Sequence, residues 1–186
     1  MLKTVVQIGL NKTAEYVPLV TGARQPSTGA LPQQVHWIPM EVRQGTWRYF
    51  GIDADPSSIH EMLSLYDPHP NIHFMNVCVG ETAGIVERVS WFFMGKRHYV
   101  SCFPLHDLLD ALQIEQLEVL AIDIEGAELP VLAAFSWEIQ PEFLAVESHH
   151  EQHTELESLV VSKGYYKIMD VPTNNGHTRE MHFSLA

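Results

Sequence analysis

Short, continuous apolar runs recur along this chain, and each ends at a glycine or an acidic residue. Five such runs cover residues 4–8 (TVVQI), 49–52 (YFGI), 72–77 (IHFMNV), 119–124 (VLAIDI) and 143–146 (FLAV). Apolar runs without regular polar alternation are typical of strands buried on both faces of a parallel sheet. The runs therefore predict a mostly parallel sheet.

Helical patterns lie between these runs. They cover residues 56–66, 105–112, 128–135 and 154–163, and we expect Gly164 to act as a C-cap of the last helix. Strands that alternate with helices pair in parallel through right-handed crossovers. Two final runs, 165–170 and 181–185, flank the turn sequence PTNNG and predict an antiparallel hairpin. The predicted fold is a doubly wound α/β sheet, in which ligands bind beyond the carboxyl ends of the strands.

The composition limits the classes of function. The 186 residues are 46% hydrophobic and 18% charged, which fits one globular domain. No apolar run is long enough for a bilayer and the N-terminal segment is too short for a signal peptide, so we expect a soluble, cytoplasmic protein. The formal net charge of −12 opposes a nucleic-acid partner and favours a small-molecule or cationic ligand. Cys78 and Cys102 are too few for a disulfide framework, and we expect reduced thiols.

Two segments interrupt the alternation of strands and helices. Residues 14–48 are rich in proline and glycine and predict a long loop, with a short helix over 13–20 that Pro18 interrupts. Long loops in compact domains usually carry function. The apolar segment 89–95 (VSWFFMG) has three interpretations, namely a strand, a lid over the site or an oligomer contact, and the last would fit a homodimer.

Three carboxylates cluster in the segment IDIEGAE. Asp123 lies at the tip of the fourth predicted strand, Glu125 follows in a turn that Gly126 lets bend, and Glu128 begins the next helix. Strand tips are where this kind of sheet binds its ligands, which favours a functional role for Asp123. The alternatives are a turn-forming or N-capping role for Asp123 and a dipole-stabilised helix start for Glu128.

Other polar residues follow the remaining strands. Asp53 ends the second strand, where an acid can accept hydrogen bonds from ribose hydroxyls, whereas Asp55 before Pro56 fits an N-cap. His149 follows the fifth strand and is a candidate general base, or else a solvated loop histidine. Gly9 would let a cofactor approach the backbone after the first strand, although GLNKT lacks the G-x-G-x-x-G fingerprint.

The segment IDIEGAELPVL resembles the I-D-V-E-G-A-E-x-x-V-L motif of the FkbM family of S-adenosylmethionine-dependent methyltransferases. Further segments are similar to the family in the same order, namely VVQIGLNKT, YFGIDADPSSI, NIHFMNVCVGETAG, FPLHDLL, PEFLAVESHH and LVVSKGYYKI. The resemblance spans nearly the whole chain outside residues 14–48. The chain departs from the family at Gln7, where an acid is usual, at Thr13, where glycine is usual, and at Ala121, where lysine is often found.

The resemblance implies a single methyltransferase-like domain over residues 1–186, with a proline- and glycine-rich insert at about 14–48. It implies the Rossmann-like class I methyltransferase fold, a seven-stranded sheet whose last strand is antiparallel. The implied reaction is transfer of a methyl group from S-adenosyl-L-methionine to a hydroxyl group of a small molecule or a saccharide.

The resemblance also implies roles for individual residues. The implied cofactor contacts are Gly9 at the methionine part, Asp53 at the ribose, Asn76 and Val77 near the adenine, and Asp123 near the methyl group. We hypothesise that Asp123 or His149 takes the proton of the acceptor and that Glu125 orients the acceptor or stabilises the sulfonium. Clustered carboxylates are also ligands for hard metals, but the sequence contains no complete ligand set, so we predict no metal.

Two further interpretations of the chain differ in class. The altered first loop fits a binding or scaffold protein that keeps the fold but has lost catalysis. A nicotinamide-dependent oxidoreductase would share the sheet, but the missing glycine fingerprint argues against it.

Overall fold

The computed structural model of the protein describes residues 2–10, 17–21, 38, 44–66, 69–90, 96–173 and 177–186. Its strands are β1 Leu2–Ile8, β2 Thr46–Asp53, β3 Ile72–Asn76, β4 Cys78–Val79, β5 Gly84–Ser90, β6 Lys96–Phe103, β7 Val119–Ile122, β8 Phe143–His149, β9 Tyr165–Thr173 and β10 Thr178–Leu185. Its helices are α1 Val17–Thr21, α2 Pro56–Tyr66, α3 Leu105–Ala111, α4 Glu128–Ala134 and α5 His153–Ser162.

Seven strands form one sheet in the order β3-β2-β1-β7-β8-β10-β9. Strand β1 pairs in parallel with β2 and β7, and β7 pairs in parallel with β8. Strand β10 runs antiparallel to both β8 and β9. The predicted mostly parallel sheet with an antiparallel last strand is therefore confirmed, and the carboxyl ends of β1, β2, β7 and β8 share one edge.

Alternate residues of the central strands point into two hydrophobic cores on opposite faces of the sheet, because side chains alternate along a strand. One core joins the sheet to α3, α4 and α5, and its members include Val6, Ile8, Leu120, Ile122, Leu144, Val146, Leu109, Leu132 and Val160. The other joins the sheet to α1 and α2, and its members include Val5, Tyr49, Val119, Ala121, Ala145, Leu19 and Met62. Burial on both faces explains why the strands read as continuous apolar runs.

The predicted helices and strands agree with the structure to within a few residues. Asp55 caps α2 as expected, because its Oδ1 accepts hydrogen bonds from the backbone N–H and the hydroxyl of Ser57, at 2.8 and 2.6 Å. Gly164 follows α5 in the left-handed region, with a φ of 96°, as a C-cap residue does. Pro18 lies in the first turn of α1, where a missing N–H has no cost, and residues 13–16 of the predicted helix lie outside the described residues. Most of segment 14–48 lies outside the described residues.

A second, three-stranded sheet with the order β4-β6-β5 was missed by sequence analysis. Its β5 and β6 pair antiparallel and its two-residue β4 is too short to recognise from periodicity. Of the segment 89–95, the first two residues end β5, which fits the strand interpretation, and residues 91–95 lie outside the part that the structure describes.

The expectation of reduced cysteines is wrong. Cys78 of β4 and Cys102 of β6 are directly paired across the small sheet and form a disulfide, with Cα atoms 4.2 Å apart. Both residues are buried with Val100, and Ala54 packs against them. The disulfide removes the argument from reduced thiols to a cytosolic location. A membrane-spanning helix is absent from the described ranges, since none combines the necessary length and apolar character.

Candidate active site

The ends of β1, β2 and β7 are joined by backbone hydrogen bonds at one edge of the sheet. The N–H of Gly9 donates to the carbonyl of Ile52 at 2.8 Å, and the N–H of Asp123 donates to the carbonyl of Ile8 at 2.9 Å. Gly9 has a φ of 81°, and a Cβ atom there would lie 1.5 Å from the carbonyl oxygen of Asp123. Glycine is therefore required at this position because two strand ends pack closely there. Sequence analysis considered only the approach of a cofactor and did not give this reason.

Asp53 fixes the loop that follows β1. One carboxylate oxygen accepts the N–H of Leu10 at 2.9 Å, and the other accepts the N–H of Asp55 at 2.7 Å. The side-chain amide of Asn76 donates to the carbonyls of Asp53 and Ala54, at 2.9 and 3.1 Å. The side chain of the predicted ribose-binding acid therefore contacts Leu10, directly after β1, and its backbone carbonyl is held by β3.

The small sheet contributes a further contact to this loop. The Nε2 atom of His98, in β6, lies 3.0 Å from the carbonyl oxygen of Ala54. Val77, which the resemblance implies near the adenine, is partly buried and packs against the core that joins the sheet to α3, α4 and α5. Loop 53–55 is therefore supported by β3, β6 and the first loop together.

The turn after β7 is built around the buried carboxylate of Glu128. This carboxylate accepts the N–H of Ile124 at 2.7 Å and that of Gly126 at 2.9 Å. Burial raises the pKa of Glu128 above its usual range, although these backbone hydrogen bonds and nearby His149 act to lower it. Glu128 does begin α4, as predicted, but its main contribution is to fold the preceding turn.

The fold of this turn explains the EGAE sequence. Glu125 and Gly126 both have positive φ values, 58° and 97°, and the buried acid three residues after Glu125 satisfies the amides of the turn. The turn leaves Glu125 exposed to solvent, with its Oε2 atom 4.0 Å from Nε2 of His149. Gly126 lies against the imidazole of His149, since a Cβ atom there would be 3.7 Å from its Cδ2. Glu125 and His149, remote in sequence, therefore meet as neighbours.

A cavity of about 170 Å³ opens on this edge of the sheet. Its lining residues come from the ends of five strands and are Gln7, Ile8, Gly9, Ala121, Ile122, Asp123, Ala145, Val146, Glu147, Thr173 and Glu180. Gly9 and Asp123 were predicted as site residues. Sequence analysis assigned no role to Glu147 or Glu180, although Glu147 shares its strand face with His149 by the two-residue period.

Glu147 is held in place by two hydroxyl groups. Its Oε1 atom accepts hydrogen bonds from Thr178 at 2.8 Å and from Thr173 at 3.4 Å. Glu180 of β10 lies directly opposite Glu147 in the antiparallel register. The pairing of β8 with β10, which no local pattern encodes, thus brings two carboxyl groups to one cavity.

Three potential metal ligands also lie near this cavity. Glu125, Glu147 and His149 offer one ligand atom each, and these atoms lie within 4.8 Å of one another. Two carboxylates and an imidazole would hold a divalent metal at three positions, and waters or substrate oxygens would have to fill the others. The absence of a metal from the reaction stays a prediction.

Comparison with known proteins identifies the family. Residues 22–166 match the model of the Methyltransferase FkbM domain. This match confirms the resemblance that the sequence motifs carry. No curated protein matches the sequence.

The fold is similar to that of solved methyltransferase structures. Fibrillarin from Aeropyrum pernix, solved with natively bound S-adenosyl-L-methionine, superposes with a TM-score of 0.56 at 8% identity, over 97% of this chain and 65% of that one. A ribosomal protein L11 methylase from Lactobacillus delbrueckii superposes with a TM-score of 0.51 at 9% identity, over 100% of this chain and 71% of that one. Methanococcus jannaschii fibrillarin superposes with a TM-score of 0.54 at 8% identity, over 98% of this chain and 66% of that one. The predicted Rossmann-like methyltransferase fold is therefore confirmed, and the chain spans about two thirds of the length of these proteins.

Proposed function

The chain belongs to the FkbM methyltransferase family, and we propose on this basis that it transfers a methyl group from S-adenosylmethionine to a hydroxyl group of a small molecule or sugar. One observation supports the proposal above all others. Gly9, Asp53 and Asp123, which are far apart in sequence, lie together along one edge of the sheet through the contacts of Gly9 and Leu10. A doubly wound sheet binds its ligand at this edge.

The residues at this edge fit the cofactor. Each carboxylate oxygen of Asp53 accepts one backbone N–H, and a carboxylate oxygen has a second lone pair, which is free to accept a ribose hydroxyl. Gly9 lines the cavity at the end of β1, where the methionine part would lie, and Val77 offers apolar surface for the adenine. S-adenosylmethionine, the cofactor of this family, supplies an activated methyl group on a sulfonium.

The acceptor would lie above β7 and β8, where the candidate catalytic residues meet. Asp123 or His149 removes the proton of the acceptor hydroxyl, and Glu125, next to His149, orients the acceptor. The protein thereby contributes alignment and proton removal. The net charge of −12 favours a small acceptor over a nucleic acid.

Calorimetry with S-adenosylhomocysteine and transfer of a labelled methyl group test the proposal. We expect Asp123→Asn or His149→Ala, whichever removes the base, to lower kcat by about a hundredfold and to remove one limb of the pH–rate profile. Exposed Asp110→Asn and His150→Ala serve as matched controls. If both variants of the candidate bases retain full activity, the assigned roles are wrong.

One observation favours a catalytically inactive binding or scaffold protein as the second candidate. Gln7 stands where the family usually has an acid, and its side chain is buried, with Oε1 accepting the hydroxyl of Tyr49 at 2.9 Å. The end of β1 therefore lacks a carboxylate at this position. Failure of S-adenosylmethionine to bind at millimolar concentration would favour this candidate.

A further inference from the structure

The ionisable side chains that line the cavity are all acidic. They are Asp123, Glu147 and Glu180, from the ends of β7, β8 and β10. Within the described ranges, no lysine or arginine lines this cavity. A ligand in the cavity therefore meets carboxyl groups from three strand ends.

The neighbouring basic side chains are occupied elsewhere. Arg179 precedes Glu180 but points to the opposite face of β10, where its Nε donates to Asp170 at 2.6 Å. Lys167 donates to Asp170 and to Glu157, at 2.9 and 2.8 Å. These two cations therefore pair with acids outside the cavity. The basic groups that lie near Glu147 and Glu180 are imidazoles, those of His149 and His182.

The arrangement of Glu147 and Glu180 favours binding of a positively charged group. They are directly opposite each other on adjacent strands, an arrangement in which like charges destabilise a sheet. The hydroxyls of Thr173 and Thr178 both donate to Oε1 of Glu147. Within the described residues, Oε2 of Glu147 accepts no hydrogen bond. Glu180 is bonded through Oε1 to Nε2 of His182 at 2.6 Å. A bound cation would relieve the repulsion, whereas a phosphate or carboxylate would increase it.

We propose that the methyl acceptor carries a protonated amine, which Glu147 and Glu180 bind in the cavity, and that the substrate is an amino sugar or another amino alcohol. This inference rests on the proposed function, because it places the acceptor beside the edge that would hold the cofactor. The hydroxyl oxygen of the acceptor attacks the methyl carbon, a C–O bond forms and the S–CH₃ bond breaks. Its electron pair stays on sulfur, giving neutral S-adenosylhomocysteine. The hydroxyl proton passes to Asp123 or His149, and the ammonium group takes no part in the chemistry.

Binding of three matched hexoses to the protein saturated with S-adenosylhomocysteine tests the inference. Glucosamine carries the positive charge, glucose is neutral and glucose 6-phosphate is negative, and saturation-transfer NMR titration compares their affinities. We expect glucosamine to bind about tenfold more tightly than glucose, since one charge-assisted hydrogen bond contributes about this factor, and glucose 6-phosphate to bind most weakly. Equal affinity, absence of glucosamine binding, or preference for the phosphate would overturn the inference.

A charge-neutral variant tests whether the preference for glucosamine over glucose arises in the cavity. Glu147→Gln keeps an oxygen for the two threonine hydroxyls but removes the charge, and we expect it to reduce glucosamine affinity about tenfold while leaving glucose unchanged. Exposed Glu138→Gln, which makes the same change of net charge outside the cavity, should have no effect. Unchanged glucosamine affinity in the Glu147 variant would contradict the assignment.

Comparison of the two cofactor forms separates this inference from the proposed function. If Glu147 serves the sulfonium instead of the acceptor, Glu147→Gln weakens S-adenosylmethionine but not its neutral product, and the acceptor assignment fails while methyl transfer stands. If the wild-type protein binds neither form, the proposed function fails, and the inference fails with it. An equal loss of affinity for both forms would place Glu147 at the amino group that both carry, and the acceptor assignment would fail. Unchanged affinity for both forms, together with a selective loss of glucosamine, supports the inference.

Discussion

The disulfide between Cys78 and Cys102 yields a quantitative prediction. The two residues are separated by 24 positions, and closing a loop of this length removes chain entropy from the unfolded state worth about 3.5 kcal/mol at 25 °C. For a chain of 186 residues the entropy of unfolding converts this loss into a fall in Tm of about 9 °C. The double variant Cys78→Ser, Cys102→Ser should therefore melt at a clearly lower temperature than the oxidised protein.

Differential scanning calorimetry of three samples checks this prediction. These are the oxidised protein, the same protein reduced under denaturing conditions and refolded with reductant, and the double serine variant. The reduced protein and the variant should melt together, below the oxidised protein, and thiol titration of the unfolded oxidised protein should find no free thiol. Two free thiols in the untreated protein, or equal melting temperatures in all three samples, would refute the reasoning.

The position of the disulfide adds a second readout. Ala54 packs against the two cysteines, and its carbonyl oxygen is contacted by His98 of the small sheet. The loop that carries Asp53 therefore depends on the same support. We expect the double variant to bind S-adenosylhomocysteine more weakly than the oxidised protein at a temperature where both are folded.

Further predictions concern the sheet edge and the ion pairs. Gly9→Ala forces a methyl group onto the carbonyl of Asp123 and should lower the free energy of unfolding by about 3 kcal/mol or more in urea titration, with loss of cofactor binding. Glu128→Ala leaves two backbone N–H groups without their acceptor and should cost about 3 kcal/mol, measured in the same way. Burial acts to raise the pKa of Asp170, but hydrogen bonds from Arg179 and a neighbouring lysine outweigh it and lower the pKa, so its contribution to stability is present above the ordinary value of 3.8 and lost as pH falls below it. Asp170→Asn should thus cost about 1–2 kcal/mol at pH 7 and almost nothing in strong acid, in thermal melts across pH. Removal of divalent metals with EDTA should leave methyl transfer unchanged.

The sequence by itself determined the elements of the seven-stranded sheet, the helices that cover it and the motif of the site, but not the small three-stranded sheet. Continuous apolar runs, helix caps such as Asp55 and the terminal glycine of α5 act over a few residues, so local periodicity and composition are enough to predict them. The EGAE motif is also a local feature, because Glu128 accepts its hydrogen bonds from amides two and four residues away. The order in which these segments follow one another was enough to predict the family and the mostly parallel sheet.

Only the tertiary structure decided which distant residues meet. The contact between Gly9 and the backbone of Asp123, the pairing of Cys78 with Cys102 and the juxtaposition of Glu147 with Glu180 all join segments far apart in sequence. Each depends on the order and register of strands, which are set by how the two cores pack and which leave no periodic trace in the chain. The acidic cavity, and with it the charge expected of the acceptor, is therefore a property of the assembled sheet.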